Sequence, residues 1–261
     1  MNIAVLIKQV PASNDVSVDP VTHCLIRDNV EMTVNPSDLN AVTAAIRLRE
    51  AAGGKVTVFT MGPGAAKKVL QTTLAMGADE AWLITDRCFG GGDTLCTARV
   101  LAEAIRHTGT YDLVLAGDVS SDGATGQVGA MVAELLNLPC ASDARKIELD
   151  GEYLTVLRNW KSQKVRVRIA LPCMVTVGLG SNTPILPTLR SQMKANRVAI
   201  PELTNAELGL DPATIGKQGT KSVVTDTYAR EGTQNAAVML SSDTAEAAKE
   251  IKSLLEGLKD E

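Results

Sequence analysis

Aromatic side chains are nearly missing: two Trp, three Tyr and two Phe make up 3% of a 261-residue chain that is 45% hydrophobic. Its core must therefore be built from Val, Leu, Ile, Ala and Met, as in a tightly wound α/β sheet. Histidine is scarcer still, limited to His23 and His107, and the five cysteines at positions 24, 88, 96, 140 and 173 form no C-x-x-C pair. That set offers no zinc or iron–sulfur constellation, so no metal is expected, and the cysteines are expected to be reduced, mostly buried thiols. No segment reaches the roughly 18 apolar residues of a membrane span, so no integral membrane segment is expected. Met1 to Lys8 lacks a cationic leader with a long apolar stretch and a cleavage site, and the expected location is the cytoplasm. A net charge of −4 has the wrong sign for general nucleic-acid binding, which draws on accumulated Lys and Arg. Any nucleotide held here is a small molecule.

Catalytic arrangements are missing as well. There is no G-x-x-x-x-G-K-[ST] loop and no Ser/His/Asp or Cys/His set, which argues against a hydrolase or an ATP-using enzyme and leaves no residue to nominate as catalytic. What the chain does have is Leu113-Val-Leu-Ala-Gly117 running into Asp118-Val-Ser-Ser-Asp122-Gly123-Ala124-Thr125-Gly126-Gln127-Val128-Gly129 and a helix. An apolar strand followed by a slim loop that opens a helix is the geometry of a phosphate cradle, because the first helical N–H groups have no intrahelical partner and lie at the positive end of the helix dipole. The spacing is not G-x-G-x-x-G, and the glycines at 123, 126 and 129 serve equally well for tight turns and helix–sheet packing.

The rest of the chain supplies context. Ile3–Ile7 reads as a buried parallel strand, and Thr22 to Asn35 as a polar, extended stretch. Asn35-Pro36-Ser37-Asp38 supplies cap chemistry for a helix from Leu39 to Gly53-Gly54. Further strands are expected at Val56–Thr60, Ala81–Ile84 and Leu113–Gly117. Helices are expected to about Met76, from Leu95 to about His107, and behind Gly129 to near Leu138-Pro139. This alternation predicts a doubly wound, mainly parallel sheet with ligands beyond the carboxyl ends of the strands. The turns there are Lys8–Pro11, Thr60–Gly64, Thr85–Thr94 and Gly117–Gly126. Strands at Lys146–Asp150, Tyr153–Leu157, Val165–Ala170 and Cys173–Val177 form a small β extension. A domain over 1–180 is thus expected, followed by an arm over 181–261 that contains a short basic helix near Leu189 and a helix over Thr244–Leu258 and packs on a partner; the other reading docks that last helix onto its own domain.

Lys8-Gln-Val-Pro, Asn35-Pro-Ser-Asp-Leu-Asn-Ala-Val, Met61-Gly-Pro, Ala75-Met-Gly-Ala-Asp79, the run Asp122 to Gly129 and Leu189-Arg-Ser-Gln-Met-Lys-Ala together resemble the beta subunit of electron-transfer flavoproteins. The resemblance spans Lys8 to about Arg197. It implies a Rossmann-like sheet of the adenine-nucleotide-binding type and a heterodimer with an alpha subunit that carries the electron-shuttling FAD. The beta subunit of such a protein holds a second nucleotide. In most members this is a structural AMP; in the electron-bifurcating branch it is FAD, reduced by NADH. Electrons leave through the alpha subunit to an acyl-CoA dehydrogenase or a quinone-linked partner.

Carried onto this chain, the family's nucleotide contacts fall on Leu6, Asn35 to Asp38, Met61 and Asp122 to Ala133, and Lys8 joins them in the first strand-end turn. Asp122-Gly123-x-Thr125-x-Gln127-Val128-Gly129 resembles the bifurcating branch's diphosphate loop. Gly91-Gly92-Asp93-Thr94-Leu95-x-Thr97 resembles its segment beside the flavin ring, where Thr94 and Thr97 stand one helical turn apart and could bond a reduced, anionic ring. Asp93 also reads as a simple N-cap. Leu189 falls where the family places an apolar anchor for the partner dehydrogenase; the other reading packs it inward on its own helix. Arg158-Asn-Trp-Lys-Ser-Gln-Lys164 departs from the family's acidic, glycine-containing turn.

Overall fold

The strand segments Ile3–Leu6, Val56–Phe59 and Leu113–Ala116 are apolar on both faces, which only a sheet covered on both sides can accommodate. A computed structural model, which describes residues 1–12, 31–222, 225 and 239–257, forms such a sheet. The chain divides into two compact units, Met1–Thr225 and Asp226–Glu261.

In the first unit, β1 (Asn2–Leu6), β2 (Gln9–Pro11) and β3 (Met32–Val34) lead into α1 (Pro36–Ala52). Then come β4 (Lys55–Met61), α2 (Lys67–Met76), β5 (Glu80–Ile84), α3 (Thr94–Thr108), β6 (Leu113–Gly117) and α4 (Val128–Leu135). They are followed by β7 (Cys140–Asp150), β8 (Tyr153–Trp160), β9 (Gln163–Ala170), β10 (Cys173–Val177) and α5 (Leu189–Ala195). The unit closes with β11 (Glu202–Leu203) and two single turns, α6 (Asn205–Leu208) and α7 (Gly216–Gly219). Nine strands form one sheet in the order β11-β5-β4-β1-β6-β10-β7-β8-β9, and β2 pairs with β3 apart from it. All pairs from β11 to β7 are parallel, whereas β8 and β9 are antiparallel additions.

Side chains of α1 and α2, among them Val42, Ile46, Val69 and Leu70, bury one face of the sheet. Ala98, Leu101 and Ile105 of α3 and Val132 of α4 bury the other. The chain leaves β1 for β4 on one side and later returns to β6 on the other, so strand order reverses between β1 and β6. The carboxyl ends of these two strands open the crevice in which doubly wound sheets take ligands.

Expected elements recur within a few residues of their predicted ends, with four differences. Asn35 stands at the N-cap of α1 but makes no capping side-chain bond. Strand β7 begins at Cys140 and β10 is inserted between β6 and β7, so the expected small extension is part of the central sheet. The division expected after residue 180 falls instead at Thr225, because β11 hydrogen-bonds beside β5 and Leu203, Leu208 and Ile215 are buried in the core. Finally, of the thiols, Cys96 and Cys173 are buried, Cys88 is half-buried and Cys140 is exposed. Cys24, His23 and most of the Thr22–Asn35 stretch lie outside the described residues. In the second unit, Asp243 accepts the N–H groups of Ala245 and Glu246 at 2.9 and 3.0 Å to start α8 (Thr244–Gly257).

Candidate functional site

Asp38 lies in the first turn of α1, directly beneath the reversal point. Its Oδ2 accepts the N–H of Lys8 at 2.6 Å and its Oδ1 the N–H of Gly117 at 3.0 Å, so one carboxylate ties the ends of β1 and β6 together. A β-carbon on Gly117 would stand 2.1 Å from Oδ1, so glycine is required there for the two backbones to share that carboxylate. Burial pushes the Asp38 carboxyl up to about 7, against the opposing pull of the Asn35 amide, the N–H groups of Lys8 and Gly117 and the Lys8 charge.

Asn35 is a second fastener. Its amide donates to Val119 O at 3.0 Å, and its Oδ1 accepts the Ser121 N–H at 3.1 Å. Ser37 Oγ donates to the same Val119 carbonyl at 2.6 Å. Asn35, Ser37 and Asp38 are all buried, so these side chains shape the loop after β6 from below rather than facing the crevice. This accounts for the Asn35 side chain not capping its own helix: the loop uses its hydrogen bonds.

The loop itself is open. Lys8 Nζ reaches across to Asp122 Oδ1 at 2.7 Å. Burial works to raise the Asp122 carboxyl, but the Lys8 hydrogen bond and charge hold it below its ordinary value. Ala124 and Gly126 have positive φ, 49° and 61°, which turns the loop tightly before α4. Among the described residues no acceptor is bonded to the N–H groups of Thr125, Gly126, Gln127, Val128, Gly129 or Ala130; the first bond of the helix is Met131 N–H to Gln127 O at 3.0 Å. Among the described residues this leaves a row of N–H groups without acceptors at a helix start, flanked by the Lys8–Asp122 ion pair.

The glycines of this loop divide by role. A β-carbon on Gly129 would lie 2.5 Å from Thr176 Cγ2, so Gly129 serves the packing of α4 on β10. At Gly123 the nearest atoms to such a carbon are Ser120 Oγ at 3.5 Å and Lys8 Nζ at 3.7 Å, ordinary contacts that do not demand glycine.

The start of α3 adjoins the loop, since Thr94 Oγ1 donates to Gln127 Oε1 at 3.0 Å. Thr97 follows one turn on, half-buried. Asp93 is the N-cap of α3, its Oδ1 accepting the Cys96 N–H at 3.0 Å, and its Oδ2 accepts the N–H groups of Lys221 at 2.7 Å and Ser222 at 3.2 Å. The Cys96 and Lys221 N–H groups hold this carboxyl well below the ordinary range. Gly91 precedes it with φ +72°, against Lys217 Cβ.

Leu6 ends β1 and is buried, and Met61 ends β4 half-buried. Ala133 of α4 is buried in the core. Leu189 stands apart from this group, 80% exposed at the first position of α5, near the 83% exposed Leu186; it does not pack inward. Its loop lies along α1: the Asn182 amide donates to Asn40 O and the Ile185 N–H to Thr43 Oγ1, at 3.0 and 3.1 Å. Sequence reasoning missed Gly117 as a ligand-free necessity of the clamp. It also missed the strap Gly216–Ser222, which carries no motif.

A doubly wound, mainly parallel α/β sheet with flanking helices and a slim loop at its reversal point defines a Rossmann-like protein. Residues 22–208 match the family model described as the electron transfer flavoprotein domain. The chain is 44% identical over 230 residues to the electron transfer flavoprotein subunit beta of Thermoanaerobacterium thermosaccharolyticum, covering 87% of this chain and 88% of that one. It is 40% identical over 231 residues to the same subunit of Megasphaera elsdenii, covering 86% of each. It is also 38% identical over 217 residues to the Caffeyl-CoA reductase-Etf complex subunit CarD of Acetobacterium woodii, covering 83% of each. The chain belongs to the electron transfer flavoprotein family, as a beta subunit. Among the described residues, no helix is long and apolar enough to cross a membrane.

Proposed function

We propose that this beta subunit holds FAD in the crevice between β1 and β6, accepts electrons there from NADH, and passes them to the FAD of an alpha subunit in a bifurcating heterodimer. The observation that carries the reading is the row of N–H groups from Thr125 to Ala130 that have no acceptor among the described residues, beside a Gly123 where a β-carbon would meet only ordinary contacts. A dinucleotide's diphosphate fits that row by supplying acceptors, with Lys8, ion-paired to Asp122 at 2.7 Å, at its flank.

FAD bound there supplies hydride acceptance and onward transfer of single electrons. The chain's own contribution is placement and electrostatics. The N–H groups of the loop and of the first turn of α4 hold the phosphates, and Asp38, Asn35 and Ser37 fix the loop that presents them. Leu6 and Met61 give the crevice apolar walls. Thr94 and Thr97, at the positive end of α3, place hydroxyls where negative charge on a reduced ring is stabilised. No side chain acts as acid, base or nucleophile.

The reading extends to partners. The alpha subunit completes the heterodimer, the second unit supplies an arm that packs on it, and Leu189 anchors an acyl-CoA dehydrogenase or a similar flavoenzyme. The name of the CarD relative, a subunit of a caffeyl-CoA reductase complex, supports an acyl-CoA-linked acceptor. The cytoplasm is the proposed location.

The test is co-expression with the alpha subunit, release of nucleotides by denaturation, and quantification of FAD and AMP per heterodimer. Two FAD and no AMP support the reading. One FAD and one AMP replace it with a non-bifurcating shuttle in which this subunit holds a structural nucleotide, and failure to form a heterodimer removes both.

A further inference from the structure

Residues 205–222 carry no recognisable motif, yet they are fastened to both ends of the loop between β5 and α3. At its start, Asp86 Oδ2 accepts the Asn205 N–H at 3.0 Å. Along its length, the Lys217 N–H donates to Gly90 O at 2.9 Å, and Arg99 Nη1 donates to Thr214 O at 2.9 Å. Gly92 and Gly216 meet so closely that a β-carbon on Gly92 would stand 3.1 Å from Gly216 Cα, and one on Gly216 would collide with the Cys88 carbonyl. At its far end, Asp93 Oδ2 takes the N–H groups of Lys221 and Ser222. The division between the two compact units follows three residues after Ser222, at Thr225.

Asp93 thus divides its two oxygens between two tasks. Oδ1 caps α3 through the Cys96 N–H, and Oδ2 holds the strap. An N-cap needs only one acceptor, and serine or asparagine performs that task as well as aspartate. The negative charge also favours the positive end of α3, but the second oxygen bonds no N–H of the helix. It serves two backbone donors that arrive from about 130 residues further along the chain.

We infer that Asp93 is a positioning residue that couples the Gly216–Ser222 strap to the first turn of α3, so that the placement of Thr94 and Thr97 depends on where the strap lies. The inference rests on the reading of Gly91–Thr97 as the segment beside the bound nucleotide. It changes the role of Asp93 within that segment, from ligand contact to the joint between the segment and the chain leading to the second unit. A displacement of the strap is transmitted to the α3 N-terminus through one carboxylate, with Thr94 carrying it on to Gln127 and the phosphate loop.

Two substitutions break the joint from opposite ends. Asp93→Asn keeps the capping oxygen but turns an N–H2 toward the Lys221 and Ser222 donors. Lys221→Pro removes the shorter strap donor and leaves Asp93 and α3 intact. Hydrogen exchange is measured on the full-length chain in the heterodimer, together with the dissociation rate of the nucleotide released from this subunit. Both variants are expected to exchange about tenfold faster, as when bonds to a charged acceptor are lost, across the strap and also at Cys96 and Thr97. Nucleotide dissociation is expected to accelerate in both. Faster exchange confined to the strap, with Cys96, Thr97 and nucleotide dissociation unchanged, overturns the coupling. The nucleotide content of the unsubstituted heterodimer reports separately on the proposed function, because the exchange of the two segments is read whether that nucleotide is FAD or AMP.

Discussion

Gly117 donates its N–H to Asp38 Oδ1 at 3.0 Å in a space where a β-carbon would stand 2.1 Å from that same oxygen. One absent methyl group lets a helix carboxylate tie β6 to β1 at the reversal point of the sheet. Gly117→Ala must therefore expel Asp38 or distort the strand end. The expected loss is about 2–4 kcal/mol, combining overpacking with weakened hydrogen bonds to a charged acceptor. Urea denaturation checks the stability, and nucleotide content of the purified protein is expected to fall with it.

Asp38 also gives stability a pH dependence of unusual sign for an acidic residue. Burial raises its folded-state value to about 7 from an ordinary 3.8, so the folded protein binds a proton that the unfolded chain releases. The associated stabilisation is complete below about pH 4 and is lost as pH rises through about 7. Relative to Asp38→Asn, which cannot titrate, the native protein should lose about 3 kcal/mol between about pH 5 and about pH 8. Paired denaturation curves of the two proteins check this, and a constant difference between them would place the carboxyl at its ordinary value.

Substitutions at Gly123 and Gly129 are expected to separate ligand binding from packing. Gly129→Ala drives a carbon to 2.5 Å from Thr176 Cγ2 and should cost about 1–3 kcal/mol of stability. Gly123→Ala meets only ordinary contacts, so stability should stay within about 0.5 kcal/mol while retention of the nucleotide falls. Thermal melts together with nucleotide quantification distinguish the two, and equal retention in Gly123→Ala would remove the ligand from that side of the loop.

Leu189 should behave oppositely to a core leucine. It is 80% exposed, so Leu189→Ala should leave stability within about 0.5 kcal/mol. As an interface anchor it should instead cost about 2 kcal/mol of docking, read as a KM for the partner flavoenzyme raised by roughly thirtyfold. An unchanged KM would assign the docking to other residues.

The strands of this protein were legible because apolar runs such as Leu113–Gly117 and Cys173–Val177 coincide with the observed β6 and β10 residue for residue. The loop between β6 and α4 was legible for a similar reason, since a strand, slim residues and a helix start occur in one contiguous stretch. The Asn35–Asp38 run was legible as important but misread locally: it looks like a helix cap, and its side chains are used by Val119, Ser121, Lys8 and Gly117 instead. The strap was not legible at all. Gly216–Ser222 has no periodicity or motif, and its meaning comes from the backbone N–H groups it presents to a carboxylate some 130 residues earlier.

The sequence by itself determined the α/β class, the positions of the strands and the slim loop that opens α4, because each depends on hydrophobic periodicity and turn chemistry within a short window. Only the tertiary structure decided that β10 enters the central sheet, that Asp38 joins two strand ends, and that Asp93 serves the strap as well as α3. Those outcomes depend on which distant backbone donors a buried carboxylate must satisfy, and buried polar groups find their partners through the packing of the whole chain rather than through their neighbours in sequence.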